Sequence, residues 1–423
     1  MTRSVATRTS NCDGHDMKIP RFTDADYSRD AITTRLHWLE DCTGRSFPHL
    51  SGKSYPTELV NGTCENLVGF VDIPVGLAGP VRINGVRAQG NFVVPLATTE
   101  GTLVASFSRG MRVITASGGC NVTAPNNSNA STDGTVYRFL GDALTKVSAV
   151  VLRDASLAMR FDAWLRSNTT AIANAANATS RYARVREISP LFHGELVGLS
   201  FLYETGQAMG LNMATKANEA ACQYILANAG DIVCDYYNTL GGDKRFVPNE
   251  AKGRYVEASV LIPKEVIENT MRTTATRMSR FLRACNALLA QRGATAPNIH
   301  VSNALTALFI ACGQDPAFVT VSFKNACTTF EPRENGDLLA SVTLPNMIVG
   351  TVGGGTRLPV QQECLAMINC EDDARKLSEI AASVALAGEI SVAGAITARE
   401  FTRAHTTLGR SVSDRSTSAG GKA

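Results

Sequence analysis

The chain has little that would tie it to a metal, a membrane or a nucleic acid. Its 423 residues include six histidines and two tryptophans, and its eleven cysteines form no Cys-x-x-Cys pair and sit beside no histidine cluster. That excludes the common zinc frameworks, and an odd number of scattered cysteines argues for reduced intracellular thiols rather than a disulfide scaffold. No charge sign dominates: 41 lysines and arginines against 38 aspartates and glutamates leave +3, too little to mark a nucleic-acid partner. No uninterrupted apolar run approaches the roughly 18–20 residues of a membrane span, and Met1 to Asp16 is polar, without a signal-peptide core. The expectation is a soluble cytoplasmic protein that holds no metal.

What the chain does have is apolar content of 44% with 19% charged residues, enough for a large core divided between two subdomains. Residues 1–20 read as disordered, 24–40 as a helix and 43–56 as a Gly/Ser/Pro-rich connector. The pattern over 81–94 predicts a hairpin turning at Asn84-Gly85. Leu103, Val104, Phe107, Met111 and Ile114 then form one helical stripe, with Arg109 and Arg112 opposite, placed to hold an anion. A loop over 118–134 opens a smaller inserted unit over about 134–235, with a strand at 135–139, a helix at 142–166 and a strand at 196–203. Thr215 is the expected cap of a helix ending before Gly230. Strands follow at 255–262 and 338–349, a buried helix at 302–312 capped by Ser302, and mostly helix over 363–408. The Ser/Gly-rich tail from 411 is expected to be mobile.

Several polar residues stand out against this background. Glu100, in Thr98-Thr99-Glu100-Gly101 at a helix mouth, has small and apolar neighbours. It is either a partly buried acid with a raised pKa or a charge that favours the positive helix start. Asp315 directly follows the buried helix, where it opposes the negative C-terminal dipole and calls for a cation such as Lys244. His405 closes the last helix. Gly206 to Met213 lies between strand and helix, and reads either as a pyrophosphate cradle or as a tight turn. The glycines at 350–355 do not fit the Gly-x-Gly-x-x-Gly fingerprint, so a Rossmann fold is not expected.

Taken in order, Glu65-Asn66, Pro74-Val75-Gly76, Ala97 to Gly101, Ala208-Met209-Gly210, Asn212-Met213, Asp243-Lys244, Gly313-Gln314-Asp315 and Gly350 to Thr356 resemble the motifs of the 3-hydroxy-3-methylglutaryl-CoA reductase family. The resemblance covers roughly 60–410. It implies an α/β (α+β) fold: a helical segment over 1–60, a large CoA-binding domain over 61–133 and 236–410, a small ferredoxin-like NADP-binding domain over 134–235, and a tail over 411–423. It implies NADPH-dependent reduction of an acyl-CoA thioester to an alcohol, in a homodimer or dimer of dimers with active sites between subunits. Glu100, Lys244, Asp315 and His405 match the catalytic positions; Ser180, Arg181, Met209, Gly210, Leu211 and Asn212 match cofactor positions; Glu65, Asn66, Arg109, Arg245 and Asn303 match substrate positions. Lys244 is expected as a buried ammonium steadied by Asp315.

The acyl pocket departs from the family pattern. Asp133 aligns with a carboxylate-gripping arginine, Tyr237 and Thr239 replace a serine and an asparagine, Arg245 replaces a lysine, and Gln207 stands where an aspartate is usual. A further family lysine aligns near Glu265, one place from Lys264. These changes leave open the same chemistry on an acyl thioester without a terminal carboxylate, CoA- or carrier-bound. A non-catalytic CoA- or nucleotide-binding paralogue is the third alternative.

Overall fold

After a first helix, α1 (Arg29–Thr43), apolar alternation on both sides of a glycine turn builds an antiparallel hairpin from β1 (Val75–Asn84) and β2 (Gln89–Ala97). The structure, a computed structural model, describes residues 28–43, 57–123, 143–240 and 252–400, with positions 20, 22, 244, 245, 247 and 250. Asp133, Asp243, His405, the connector after α1, the expected strand at 135–139 and the tail lie outside the described residues. The hairpin turns where expected, but through four residues, because Asn84 pairs with Gln89. The backbone N–H groups of Arg87 and Ala88 in that loop donate to Glu379 at 2.9 and 2.7 Å.

The chain continues through α2 (Leu103–Ala116), β3 (Cys120–Thr123), β4 (Ala143–Leu152), α3 (Ala158–Asn177), β5 (Arg184–His193), β6 (Leu196–Glu204), α4 (Leu211–Asn228) and β7 (Val233–Tyr237). It then forms β8 (Lys252–Ile262), a short turn α5 (Lys264–Val266), α6 (Ala275–Gln291), α7 (Val301–Ala311), α8 (Val319–Lys324), β9 (Cys327–Pro332), β10 (Leu338–Met347), α9 (Pro359–Met367) and α10 (Ala374–Thr397). The sheet runs β2-β1-β3-β8-β4-β6-β5, with β10 and β9 branching from β8 and β7 pairing with β4. β1 and β3 pair parallel and the other pairs are antiparallel, so this is not a doubly wound parallel sheet.

Two apolar cores divide the sheet. One, around Phe161, Leu165, Phe201 and Tyr203, lies within β4-α3-β5-β6-α4-β7, whose strand order β7-β4-β6-β5 is ferredoxin-like. The other gathers the remaining strands around α2, α7 and α10. Leu211, the first residue of α4, packs against both.

Two elements depart from expectation. Residues 142–166 do not form one helix: β4 occupies 143–152 and α3 begins at Ala158. Thr145, Val147, Val150 and Val151 favour a strand, and β4 lies between β6 and β7 with most of both faces buried, which erases its alternation. α4 starts one turn before Thr215, whose hydroxyl donates inside the helix to the Leu211 carbonyl at 2.9 Å. Its start is set by Gly210 at φ 85°, where an added Cβ would lie 2.1 Å from Thr205 Cγ2.

α10 is 24 residues long and contains an 18-residue stretch with a mean hydropathy of 1.7, enough by length and composition to cross a membrane, yet 94% of that stretch is buried within this fold. Its small residues let neighbours approach closely. A Cβ on Gly110 of α2 would lie 1.9 Å from the Ala387 carbonyl oxygen. Gly110→Ala is therefore expected to destabilise the chain by about 1–3 kcal/mol through overpacking, although alanine is the better helix former by about 1 kcal/mol. A urea midpoint unchanged or raised at constant m would contradict this packing.

Candidate active site

The site is built where α7 stops. Gly313 (φ 66°) reverses the chain so closely against the glycine loop at 350–356 that an added Cβ would meet the Gly355 carbonyl oxygen at 2.5 Å. Buried Gln314 locks the two segments. Its Nε2 donates to the Gly350 carbonyl at 2.9 Å, and the Gly350 N–H donates to its Oε1 at 2.8 Å. Asp315 emerges from this turn with one oxygen accepting the Ala317 N–H at 3.0 Å and the other 2.6 Å from Lys244 Nζ. Lys244 Nζ also lies 5.2 Å from the centre of the Phe318 ring. The cation that Asp315 calls for is thus Lys244. The pair is half exposed in the single chain rather than buried as expected, because it lies on the wall of an open cavity.

That cavity, of about 850 Å³, is also lined by Met209, Leu211 and Asn212, and by Gly62 and Thr63, which shortly precede Glu65 and Asn66. The first turn of α4 faces it, and the leading N–H groups of a helix have no intrahelical acceptor. Ser180 adjoins the same turn, with its Oγ 3.5 Å from Met213 Sδ, while it accepts the N–H groups of Tyr182 and Ala183 at 3.1 and 3.2 Å. Arg181 is exposed beside it, 5.3 Å from the Tyr182 ring centre. A backbone-only approach at Gly210, amide donors and a nearby guanidinium fit a phosphorylated dinucleotide. Gln207 points elsewhere, accepting the Ala374 N–H at 2.8 Å.

Glu100 belongs to a different group. It is exposed, which sets aside the first of its two readings, partial burial, because it sits on the turn before α2 rather than on the helix stripe. Asn303, in the first turn of α7, donates through Nδ2 to Glu100 Oε2 at 3.0 Å. The same nitrogen lies 3.0 Å from Nε2 of His300. His300 precedes α7 in the cap position expected for Ser302, stacks on Phe107 at 5.2 Å, and is held below the usual imidazole range, at about 4, by burial. Its backbone N–H and that of Ile299 donate to Glu389, which is buried in α10. Sequence reasoning passed over His300; the His-x-x-Asn spacing at a helix start was the available signal.

The remaining substrate candidates are dispersed. Arg109 donates to the Ser391 carbonyl at 2.7 Å and to its hydroxyl, toward α10. Arg245 has an exposed side chain, and its carbonyl accepts Lys252 Nζ at 2.7 Å. Tyr237 is exposed on β7. One cavity therefore gathers Met209, Leu211, Asn212, Lys244 and Asp315, whereas Glu100 and Asn303 pair at the other end of α7.

A profile of hydroxymethylglutaryl-coenzyme A reductase matches residues 31–410. The chain belongs to that family. Among family members, the 3-hydroxy-3-methylglutaryl-coenzyme A reductase of Pyrococcus abyssi is 35% identical over 93% of this chain and 96% of its own length. That of Haloferax volcanii is 34% identical over 96% and 99%. The fold is shared with the class II reductase of Streptococcus pneumoniae, solved bound to NADPH in open conformations, at a TM-score of 0.63 and 19% identity over 80% of this chain and 89% of that one. Members of this reductase family are oxidoreductases, and the profile match takes in both apolar cores.

Burial of His300 gives a pH signature. Its folded pKa of about 4 lies below the ordinary 6.5, so the unfolded chain binds the extra proton between these values. Its neutral form contributes fully above about pH 6.5, and roughly 3 kcal/mol is lost as pH falls toward 4. His300→Phe is expected to flatten that part of the stability profile in urea titrations, and an unchanged slope would refute the assignment.

Proposed function

We propose that this chain reduces an acyl-CoA thioester to an alcohol with NADPH, taking 3-hydroxy-3-methylglutaryl-CoA to mevalonate and free CoA, in the cytoplasm. The observation that carries this reading is the 2.6 Å Lys244–Asp315 pair on a cavity wall shared with the start of α4. NADPH held by Met209 to Asn212 and by Ser180 and Arg181 supplies the hydrides, two for each thioester. Amides of the first α4 turn meet the pyrophosphate and Arg181 the 2′-phosphate.

Each reduction leaves negative charge on the former carbonyl oxygen, first of the thioester and then of the aldehyde. Lys244 Nζ is the cation that receives it, and Asp315, 2.6 Å away, aims that ammonium. Glu100 gives the proton to the developing alkoxide. His405 protonates the departing CoA thiolate, as an imidazolium with pKa about 6.5 can for a thiol near 8.5. Glu65, Asn66, Arg245 and Asn303 bind the substrate, with Arg245 clamping the acyl carboxylate. The large domain (61–133 and 236–410) takes CoA and the small one (134–235) the nucleotide.

Glu100 and Lys244 stand at opposite ends of α7, whose eleven residues span about 16 Å. Both are needed at one carbon, which supports a homodimer or dimer of dimers in which one subunit supplies Glu100 and the other Lys244. A second reading, the same chemistry on an acyl group without a terminal carboxylate, is favoured by exposed Tyr237 ahead of Lys244.

Lys244→Ala is expected to lower kcat by about 10²–10³-fold; unchanged turnover would return the chain to a non-catalytic binding role. Arg181→Ala is expected to raise the KM for NADPH by roughly 10–100-fold, the value of a charged hydrogen bond, and to leave NADH kinetics unaffected. In an acyl-CoA panel followed by product analysis, preference for an uncharged acyl chain would replace the first reading with the second.

A further inference from the structure

Resting on Glu100 as the proton donor, we infer that His300 is a positioning residue for it: acting through Asn303, His300 fixes which carboxyl oxygen of Glu100 carries the transferable proton.

The argument is one of donor and acceptor types. Asn303 Nδ2 lies 3.0 Å from both Glu100 Oε2 and His300 Nε2. An amide nitrogen has two N–H bonds to give and accepts none. One hydrogen goes to Glu100, so the other goes to His300, and Nε2 must be an unprotonated acceptor. The imidazole is therefore neutral, with its hydrogen on Nδ1. Nδ1 faces α10, where a Cβ on Gly388 would lie 3.2 Å away, and has no hydrogen-bond partner among the described residues.

The surroundings hold the ring in this state. Phe107 of α2 stacks on it at an interplanar angle of 19°, and Glu389 of α10 engages its backbone N–H rather than its ring nitrogens. Asn303 and, beyond it, Glu100 complete the polar groups on the α7 side. Burial keeps the ring uncharged down to about pH 4.

The consequence falls on Glu100. With an N–H directed at Oε2, a protonated Glu100 carries its hydrogen on Oε1, the oxygen that Asn303 does not cover. If the Asn303 amide turned over, its oxygen would accept the Glu100 proton and draw it away from the substrate. That arrangement requires a hydrogen on His300 Nε2. The tautomer of His300 thus selects the direction in which Glu100 gives its proton.

The test uses the full chain. His300→Phe keeps the ring stack and removes the acceptor; His300→Gln places a carbonyl oxygen near the position of Nε2. His300→Phe is expected to lower kcat about tenfold, against roughly 10²–10⁴-fold for loss of the acid itself in Glu100→Gln. KM values for acyl-CoA and NADPH should stay within about twofold, and His300→Gln should recover most of the loss. Two-bond ¹H–¹⁵N spectra of ¹⁵N-histidine-labelled protein should show His300 as the Nδ1–H tautomer, a readout independent of turnover and of how either variant folds. An Nε2–H tautomer, an unchanged kcat in His300→Phe, or no recovery in His300→Gln, with Glu100→Gln inactive, overturns this inference alone. Full turnover in Glu100→Gln overturns the role of Glu100 and the inference with it.

Discussion

Two carboxylates buried in one helix hold the architecture in register. Glu379 and Glu389 of α10 each accept two backbone N–H groups from outside the helix. Glu379 takes those of the β1–β2 loop, and Glu389 those of the two residues before α7. Burial pushes both carboxyls above the usual range, and the amide donors oppose that push. The buried face of α10 is rich in alanine and other small residues, which offer little side-chain shape to specify how a hairpin and a helix dock on it. Directional bonds to fixed carboxylates supply that specification. The small residues of α10 do the complementary work of letting α2 and the His300 ring come close.

From α10 the order passes to α7, which acts as a spacer between two polar groups of opposite character. Its first turn carries the acid-holding amide of Asn303, and just past its end Asp315 holds a cation. The charge arrangement at that end runs against the helix dipole, and the Lys244 ammonium offsets it. Gln314, bonded on both sides to Gly350, keeps the turn from relaxing.

The legible parts of the chain were those whose physics is local. Asp315 at a helix end calls for a cation whatever the fold, and the alternation in β6, β8 and β10 survives because one face of each strand is better buried than the other. β4 was illegible because a central strand buried on both faces loses its period, and β5 because it is a largely exposed edge carrying Pro190. The start of α4 depends on a left-handed glycine, a backbone property that side-chain patterns do not report. The exposure of Glu100 is not legible from its small and apolar neighbours, because neighbours in sequence are not neighbours in space. His300 gave only a lone histidine, whose meaning lies in contacts with α2, α7 and α10.

Lys244 belongs to the link between β7 and β8, and so between the two cores. The N–H of Leu240 on that link still donates to Val147 of β4 at 2.9 Å, while the partner of Lys244, Asp315, belongs to the other core. A single ion pair thus fastens the crossover segment to the second core, and Lys244 takes its place from both units at once.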